Sequence, residues 1–273
     1  MTSYNFISQP LVGNSVNALN DKIFVLTREH SQSKDTISVL NHQGGTVISL
    51  PTIAISDIAI SSEVLTDIKN NVYDAVILTS INAVNSFLGQ LRINNILFRG
   101  LILTFGTESQ KRISELGYSA QIIENTNSSE ELAFALVENK YNNLNFLFPC
   151  AKNGRKELVD ILKTNSIKIQ TAAVYENLLP DKSKLEAEIN YILNNKIDCY
   201  IFSSPSTYIN FLQLCDIDDP IDFFNSSAIA AIGKTTSHTI KASGVNVQIV
   251  PDSPTMTNLV NSIINYYENS RIL

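Results

Sequence analysis

Four short turns hold most of the residues in this chain that could do chemistry. They read LTSINAV (78–84), FGTES (105–109), FSSPST (202–207) and IGKTTS (232–237). Each joins an apolar, β-branched run to a helix-like segment. A helix N-terminus offers free amides and a partial positive charge, and Ser or Thr adds hydroxyl donors. Ser80, Thr107, Ser204 and Thr235 are therefore candidates for gripping an anion with several carboxylates or phosphates. The alternative is that each hydroxyl only caps its helix. Four equivalent turns, which two facing domains would bring to one cleft, favour a shared site.

Other chemistries find little support. IGKTTS resembles the end of a phosphate-binding loop, but that motif needs a glycine five positions before Gly233, and Ala228 is there instead. The first strand is followed by LTREHSQS rather than a glycine-rich dinucleotide turn. His30, His42 and His238 lack metal-ligand spacing and read as solvated residues. Cys150, Cys199 and Cys215 fit neither a disulfide framework nor a zinc ribbon; the first and second lie in apolar runs, as buried, inert thiols of a reducing compartment do. With no serine elbow, Cys/His pair or close carboxylate pair, an enzyme built on this chain works by positioning and electrostatics.

The elements that must position these turns alternate regularly. Strands are expected at 23–27, 46–50, 75–79, 101–105 and 120–123, then at 145–149, 168–173, 199–203, 228–232 and 247–250, with helices between them. The two sets superimpose. Phe24 and Leu40 match Phe146 and Leu162, 122 residues on; Asp74, Ser80 and Phe87 match Asp198, Ser204 and Phe211, 124 on; Gly106 and Gly117 match Gly233 and Gly244, 127 on. The expected fold is α/β, with two flavodoxin-like or Rossmann-like parallel sheets from an internal duplication. Thr107 and Ser128 open expected capping boxes, and Ser204 is a cap followed by Pro205. Gly44, Gly117, Gly244 and Asn165 are expected left-handed helix ends.

The repeat leaves the domain boundary open. Tandem domains would split near 142. Alternatively, the extended segments LPTIAIS (50–56) and TAAVYEN (171–177) are a pair of linker strands on which the chain leaves one domain and returns. The first twenty residues lack the basic start and apolar stretch of a signal peptide and read as a loose extension, giving a cytoplasmic protein. No apolar run is long enough for a membrane span, and a net charge of −6 gives no general pull toward nucleic acid.

In order along the chain, several segments resemble the uroporphyrinogen-III synthase family. They are LTR (26–28), a helix ended by glycine, a strand ending in Pro51, YDAVILTSINAVNSFL (73–88), AAVYEN (172–177), DCYIFSSPSTYINFL (198–212), AIAAIGKTTSHTIKASG (228–244) and VPDSPTMTNLVNSI (250–263). The resemblance implies one domain from 1–52 with 177–273, another from 55–173, and a two-stranded linker between them. It also implies loss of water from hydroxymethylbilane with ring closure and inversion of the last pyrrole, without metal or organic cofactor, by a monomer. Tyr175 is then the candidate acid for the leaving hydroxyl. Ser80, Thr107, Ser204, Thr235 and Thr236 match substrate-contacting positions, and Arg28 is a candidate charge-assisted contact. The turn PCAKNGRK (149–156) and Lys234 depart from the family pattern. Lys152 is a possible substitute carboxylate contact there, and Gly154 and Arg155 keep part of the turn. A two-lobed binding protein and a two-lobed glycosyltransferase are the rival readings.

Overall fold

The computed structural model describes residues 7–8, 17–28, 33–124, 126, 128–138, 141, 143–154 and 156–270. His30, Arg155 and position 142 lie outside them. The chain divides into two compact units, Met1–Ala54 with Leu178–Leu273, and Ile55–Asn177.

In the first unit the strands are β1 (Ile7–Ser8), β2 (Ile23–Leu26) and β3 (Thr46–Ser49), and α1 (Lys34–His42) connects the latter two. β4 (Ala54–Asp57) leads into the second unit, which continues α2 (Ser62–Lys69), β5 (Ala75–Ile77), α3 (Ile81–Ile93), β6 (Leu101–Thr104), α4 (Thr107–Glu115), β7 (Gln121–Ile122), α5 (Ser129–Glu138), β8 (Asn145–Ala151), α6 (Glu157–Thr164) and β9 (Lys168–Leu178). The chain then completes the first unit with α7 (Glu186–Asn194), β10 (Cys199–Phe202), α8 (Pro205–Leu214), α9 (Pro220–Phe223), β11 (Ala228–Ala231), α10 (Lys234–Ala242) and α11 (Met256–Asn269).

Two parallel-dominated sheets result, as the alternating pattern predicts. The first has the order β1-β3-β2-β10-β11 and the second β4-β9-β8-β5-β6-β7. Every residue of β5, β10 and β11 is buried, so these strands read as the unbroken runs AVI, CYIF and AIAA rather than as alternating ones. The expected strand at 247–250 is reduced to a single parallel bridge between Ile249 and Ala230.

The first four strands of each copy match, while β7 has only the Ile249 bridge as its counterpart, and each sheet mixes halves of the two copies. β2 and β3 of the first copy pair with β10 and β11 of the second, while β8 and β9 of the second extend β5, β6 and β7 of the first. The registers coincide: Cys199 lies opposite Phe24 as Ala75 lies opposite Phe146. Even the polar anchors agree. Asp198 accepts from the Ile23 N–H at 2.9 Å, and Asp74 from the Asn145 N–H at 2.8 Å. Each carboxylate thereby pins the start of the neighbouring strand.

Turn chemistry follows the sequence with instructive exceptions. Gly44, Gly117 and Gly244 have positive φ of 84–89°. At the end of α6, however, Asn165 has φ −92° and the left-handed residue is Ser166, at φ 61°. The helix simply runs one residue further than the Asn suggested. Before β2, the described residues are anchored rather than loose. Leu19 is fully buried in the first unit's core, and β1 pairs antiparallel with β3, Ile7 opposite Ile48. Burying an apolar side chain and satisfying an edge strand outweigh the weak local signal of this stretch.

Candidate functional site

In the second unit Ser80 and Tyr175 come together. Ser80 ends the turn after β5 and caps α3, accepting the Ala83 N–H on Oγ at 3.1 Å. Tyr175 lies on β9, only 8% exposed, within an apolar cluster that includes Leu78, Val84 and Val174. Its hydroxyl is 3.3 Å from Ser80 Oγ. Since β8 separates β9 from β5, this contact reaches across the carboxyl end of β8. That end is built to receive it. β8 runs on through Ala151, two residues beyond the expected strand, with a register irregularity between Cys150 and Ala151 that sets Ala151 opposite Tyr175. The Lys152 N–H then donates to the Tyr175 carbonyl at 2.9 Å. The Lys152 ammonium pairs with the Glu176 carboxylate at 3.1 Å on the protein surface. The departure seen in PCAKNGRK is thus a longer strand that grips Tyr175 by its backbone.

Thr107 is the first helical residue of α4 and is exposed. The cap is Gly106, at φ 82°, and no side chain caps this helix. The expected Thr-x-x-Gln box does not form because the left-handed glycine already turns the chain, and the Gln110 amide instead donates to the Ala120 carbonyl at 3.0 Å. The Thr107 hydroxyl is therefore not committed to capping. Thr107 borders an open depression of about 430 Å³ with Glu108, Gln110, Lys111 and Ser114.

In the first unit, Arg28, Ser204 and Thr235 follow β2, β10 and β11, which are neighbours in the sheet, so all three stand at its carboxyl edge. Ser204 and Thr207 form a reciprocal capping box with Pro205 in the first turn of α8. Ser204 Oγ also lies 3.0 Å from Ser206 Oγ. Gly233 caps α10 without a side chain, leaving Thr235 exposed in the first turn. Thr236, by contrast, is only 3% exposed, so as it stands in this unit it presents almost no surface to an anion. It faces inward because its position in α10 is on the packed side of the helix, with Ser237 and Ile240.

Three residues that the sequence did not single out hold this edge in shape. The Thr27 hydroxyl donates to the Ile201 carbonyl at 2.8 Å, the Thr52 hydroxyl to the Thr27 carbonyl at 3.1 Å, and the Asn210 amide to the Thr52 carbonyl at 2.7 Å. The available signal was a threonine near the end of each of two apolar strands; the Ile201 and Thr27 carbonyls also accept the Thr27 and Thr52 N–H groups, each at 3.3 Å, and the hydroxyls reinforce these last backbone bonds.

The remaining reactive groups are quiet. All three cysteines are free, and burial raises each thiol pKa, that of Cys215 to about 12, so none is a ready nucleophile at neutral pH. The His42 ring bonds the Ser38 carbonyl on an exposed face, and His238 is exposed. Among the described residues no three His, Cys, Asp or Glu side chains gather to hold a metal, and no helix is long and apolar enough to cross a membrane.

Comparison with known proteins agrees in every direction. The family model described as Uroporphyrinogen-III synthase HemD matches residues 34–261. A uroporphyrinogen-III synthase of Chlorobaculum parvum is 24% identical over 237 residues, covering 85% of this chain and 93% of the relative. The crystal structure of uroporphyrinogen-III synthetase from Helicobacter pylori shares the fold with a TM-score of 0.62 at 18% identity, covering 90% of this chain and 99% of that one. A mutant uroporphyrinogen III synthase from Thermus thermophilus does so with a TM-score of 0.56 at 12% identity, covering 92% and 100%. With two parallel-dominated α/β sheets and a match over most of its length, this chain belongs to the uroporphyrinogen-III synthase family.

Proposed function

We propose that this chain closes hydroxymethylbilane to uroporphyrinogen III, with Tyr175 as the acid that assists departure of the terminal hydroxyl. The observation that carries the residue assignment is the placement of the Tyr175 phenol beside the cap of α3, 3.3 Å from Ser80 Oγ. A neutral phenol donates a proton or a hydrogen bond without prior ionisation. The leaving hydroxyl takes that proton and departs as water. The pyrrole left behind becomes an electrophilic azafulvene. The last pyrrole attacks it through its substituted carbon, giving a spiro intermediate that fragments and recloses with that ring inverted. The proton lost from the pyrrole carbon at final closure balances the one first donated.

Water alone closes the same substrate in the direct sense, so the protein's task is orientation. The substrate carries eight carboxylates. Exposed Thr107 and Thr235 and half-buried Ser204 and Arg28, at strand ends followed in three cases by helix N-termini, suit that charge distribution. Thr236 contributes less directly, given its burial. The reading extends to a monomer in the cytoplasm, a compartment that would keep the three free cysteines reduced.

The test is an assay with freshly generated hydroxymethylbilane, followed by oxidation and separation of the uroporphyrin isomers. Isomer III should form in proportion to the protein, and Tyr175→Phe should lower its rate by about 100-fold or more. Isomer I alone, in the presence of folded protein, would sink the proposal.

A further inference from the structure

We propose that Ser80 is a positioning residue for Tyr175, directing the phenolic proton rather than binding a substrate carboxylate. This rests on the reading of Tyr175 as the acid. The hydrogen-bond inventory of Ser80 supports it. Oγ has one proton to give and two lone pairs to receive. One lone pair takes the Ala83 N–H at 3.1 Å, as the cap of α3 requires. The proton then has the Tyr175 hydroxyl oxygen within reach at 3.3 Å. A phenol oxygen that accepts from Ser80 keeps its own proton free for the leaving group. After transfer, the phenolate oxygen still receives the Ser80 hydrogen bond, now from a neutral donor to an anion and so stronger. The proton released on ring closure restores the phenol.

The surroundings leave Tyr175 few other orientations. Its ring is buried in the second unit's core, its carbonyl accepts from the Lys152 N–H at 2.9 Å, and the register irregularity after Cys150 fixes which residue faces it. Backbone and hydroxyl are thus held from the ends of two different strands, β8 and β5. A substrate contact by the same Ser80 proton would compete with this arrangement.

The experiment is a double-mutant cycle on the full chain, read as kcat and KM for isomer III formation. Ser80→Gly keeps most of the capping preference but removes the hydroxyl, and Ser80→Thr keeps both. The expected result is a roughly fivefold to tenfold fall in kcat for Ser80→Gly with KM little changed, and recovery in Ser80→Thr. In the Tyr175→Phe background, Ser80→Gly should have no further effect. A rise in KM that persists in that background would overturn the proposal and make Ser80 a substrate contact. Full kcat in Ser80→Gly would overturn it too. Full activity of Tyr175→Phe would instead remove the acid assignment on which it depends, and the cycle separates these outcomes.

Discussion

The two units repeat one sheet but fill it differently. On one face of the first unit, Tyr200, Phe202, Tyr208 and Phe211 form an aromatic core with Phe224, Tyr200 and Phe224 meeting edge-on at 4.9 Å and Phe202 and Tyr208 at 5.2 Å. The positions 124 residues earlier, in the second unit, are Val76, Leu78, Val84 and Phe87, all fully buried. Strand register and helix placement survive this exchange of three aromatic for three aliphatic side chains. The scaffold therefore depends on where apolar groups fall, while their shapes settle how each core is packed. The aromatic solution also carries polar tips that need partners: the Tyr208 hydroxyl bonds Ser243 Oγ.

The strongest challenge to this comparison is Phe→Ala at the shared position. Phe211→Ala and Phe87→Ala should each cost about 4 kcal/mol, since both rings are fully buried. Hydrogen exchange should place each loss in its own unit. A cycle pairing Phe211 with Phe202→Leu should give a coupling of about 1 kcal/mol, larger than that of Phe87 with Leu78→Ala. Equal couplings would show that the aromatic contacts add nothing beyond burial.

Alkaline pH sharpens the contrast. Burial raises the Tyr200, Tyr208 and Tyr267 phenols in the first unit, whereas in the second Tyr73 is raised, to about 12 by burial and by the Asp67 carboxylate. The unfolded phenol ionises near its ordinary value, so the native state holds these protons longer. The stability they contribute is fully present below about pH 10 and is lost as the pH rises through the folded values. Each such group removes up to about 1.4 kcal/mol per pH unit, and the first unit should open earlier in a pH-jump exchange experiment. Opening of the second unit first would contradict the assignment.

A smaller difference is expected between the matched aspartates. Asp198→Ala loses the Ile23 N–H bond and the Lys22 ion pair at 3.0 Å from a largely buried carboxylate, about 2 kcal/mol. Asp74→Ala loses the Asn145 bond at an exposed site, about 1 kcal/mol. Denaturant midpoints would rank them, and a reversed order would mean that burial does not govern this anchor.

Smallest is the matched turn at Gly44 and Ser166, 122 residues apart and both left-handed. Ser166→Gly should stabilise by about 0.5 kcal/mol by relieving a side chain at positive φ. The reverse change, Gly44→Ser, should cost at least about 1 kcal/mol, because a Cβ there would also meet the Asn20 side chain at 1.9 Å. Melting temperatures of the two variants test this, and equal and opposite shifts would show that Asn20 yields freely.

Much of this was legible beforehand because it is local. β-branched runs, Ser204 with Pro205 and the left-handed glycines are each specified within a few residues, and the equal spacing of the copies announced a repeated α/β unit. Capping was misjudged at Thr107, where Gly106 turns the chain first, and at Asn165, where α6 continues by one residue. Both errors concern a single step of backbone that neighbouring packing decides.

By itself, then, the sequence determined most of the strands, their apolar character, the duplication and the hydroxyl-rich turns, since these depend on periodicity and short-range chemistry. Only the tertiary structure decided that β2 pairs with β10 rather than remaining in its own copy, that Leu19 joins the core, that Thr236 turns inward, and that Ser80 meets Tyr175 across the end of β8. Those outcomes join residues 95 to 175 positions apart or rest on which face of a helix packs. No local signal encodes them, because they are settled by the free energy of burying whole surfaces at once.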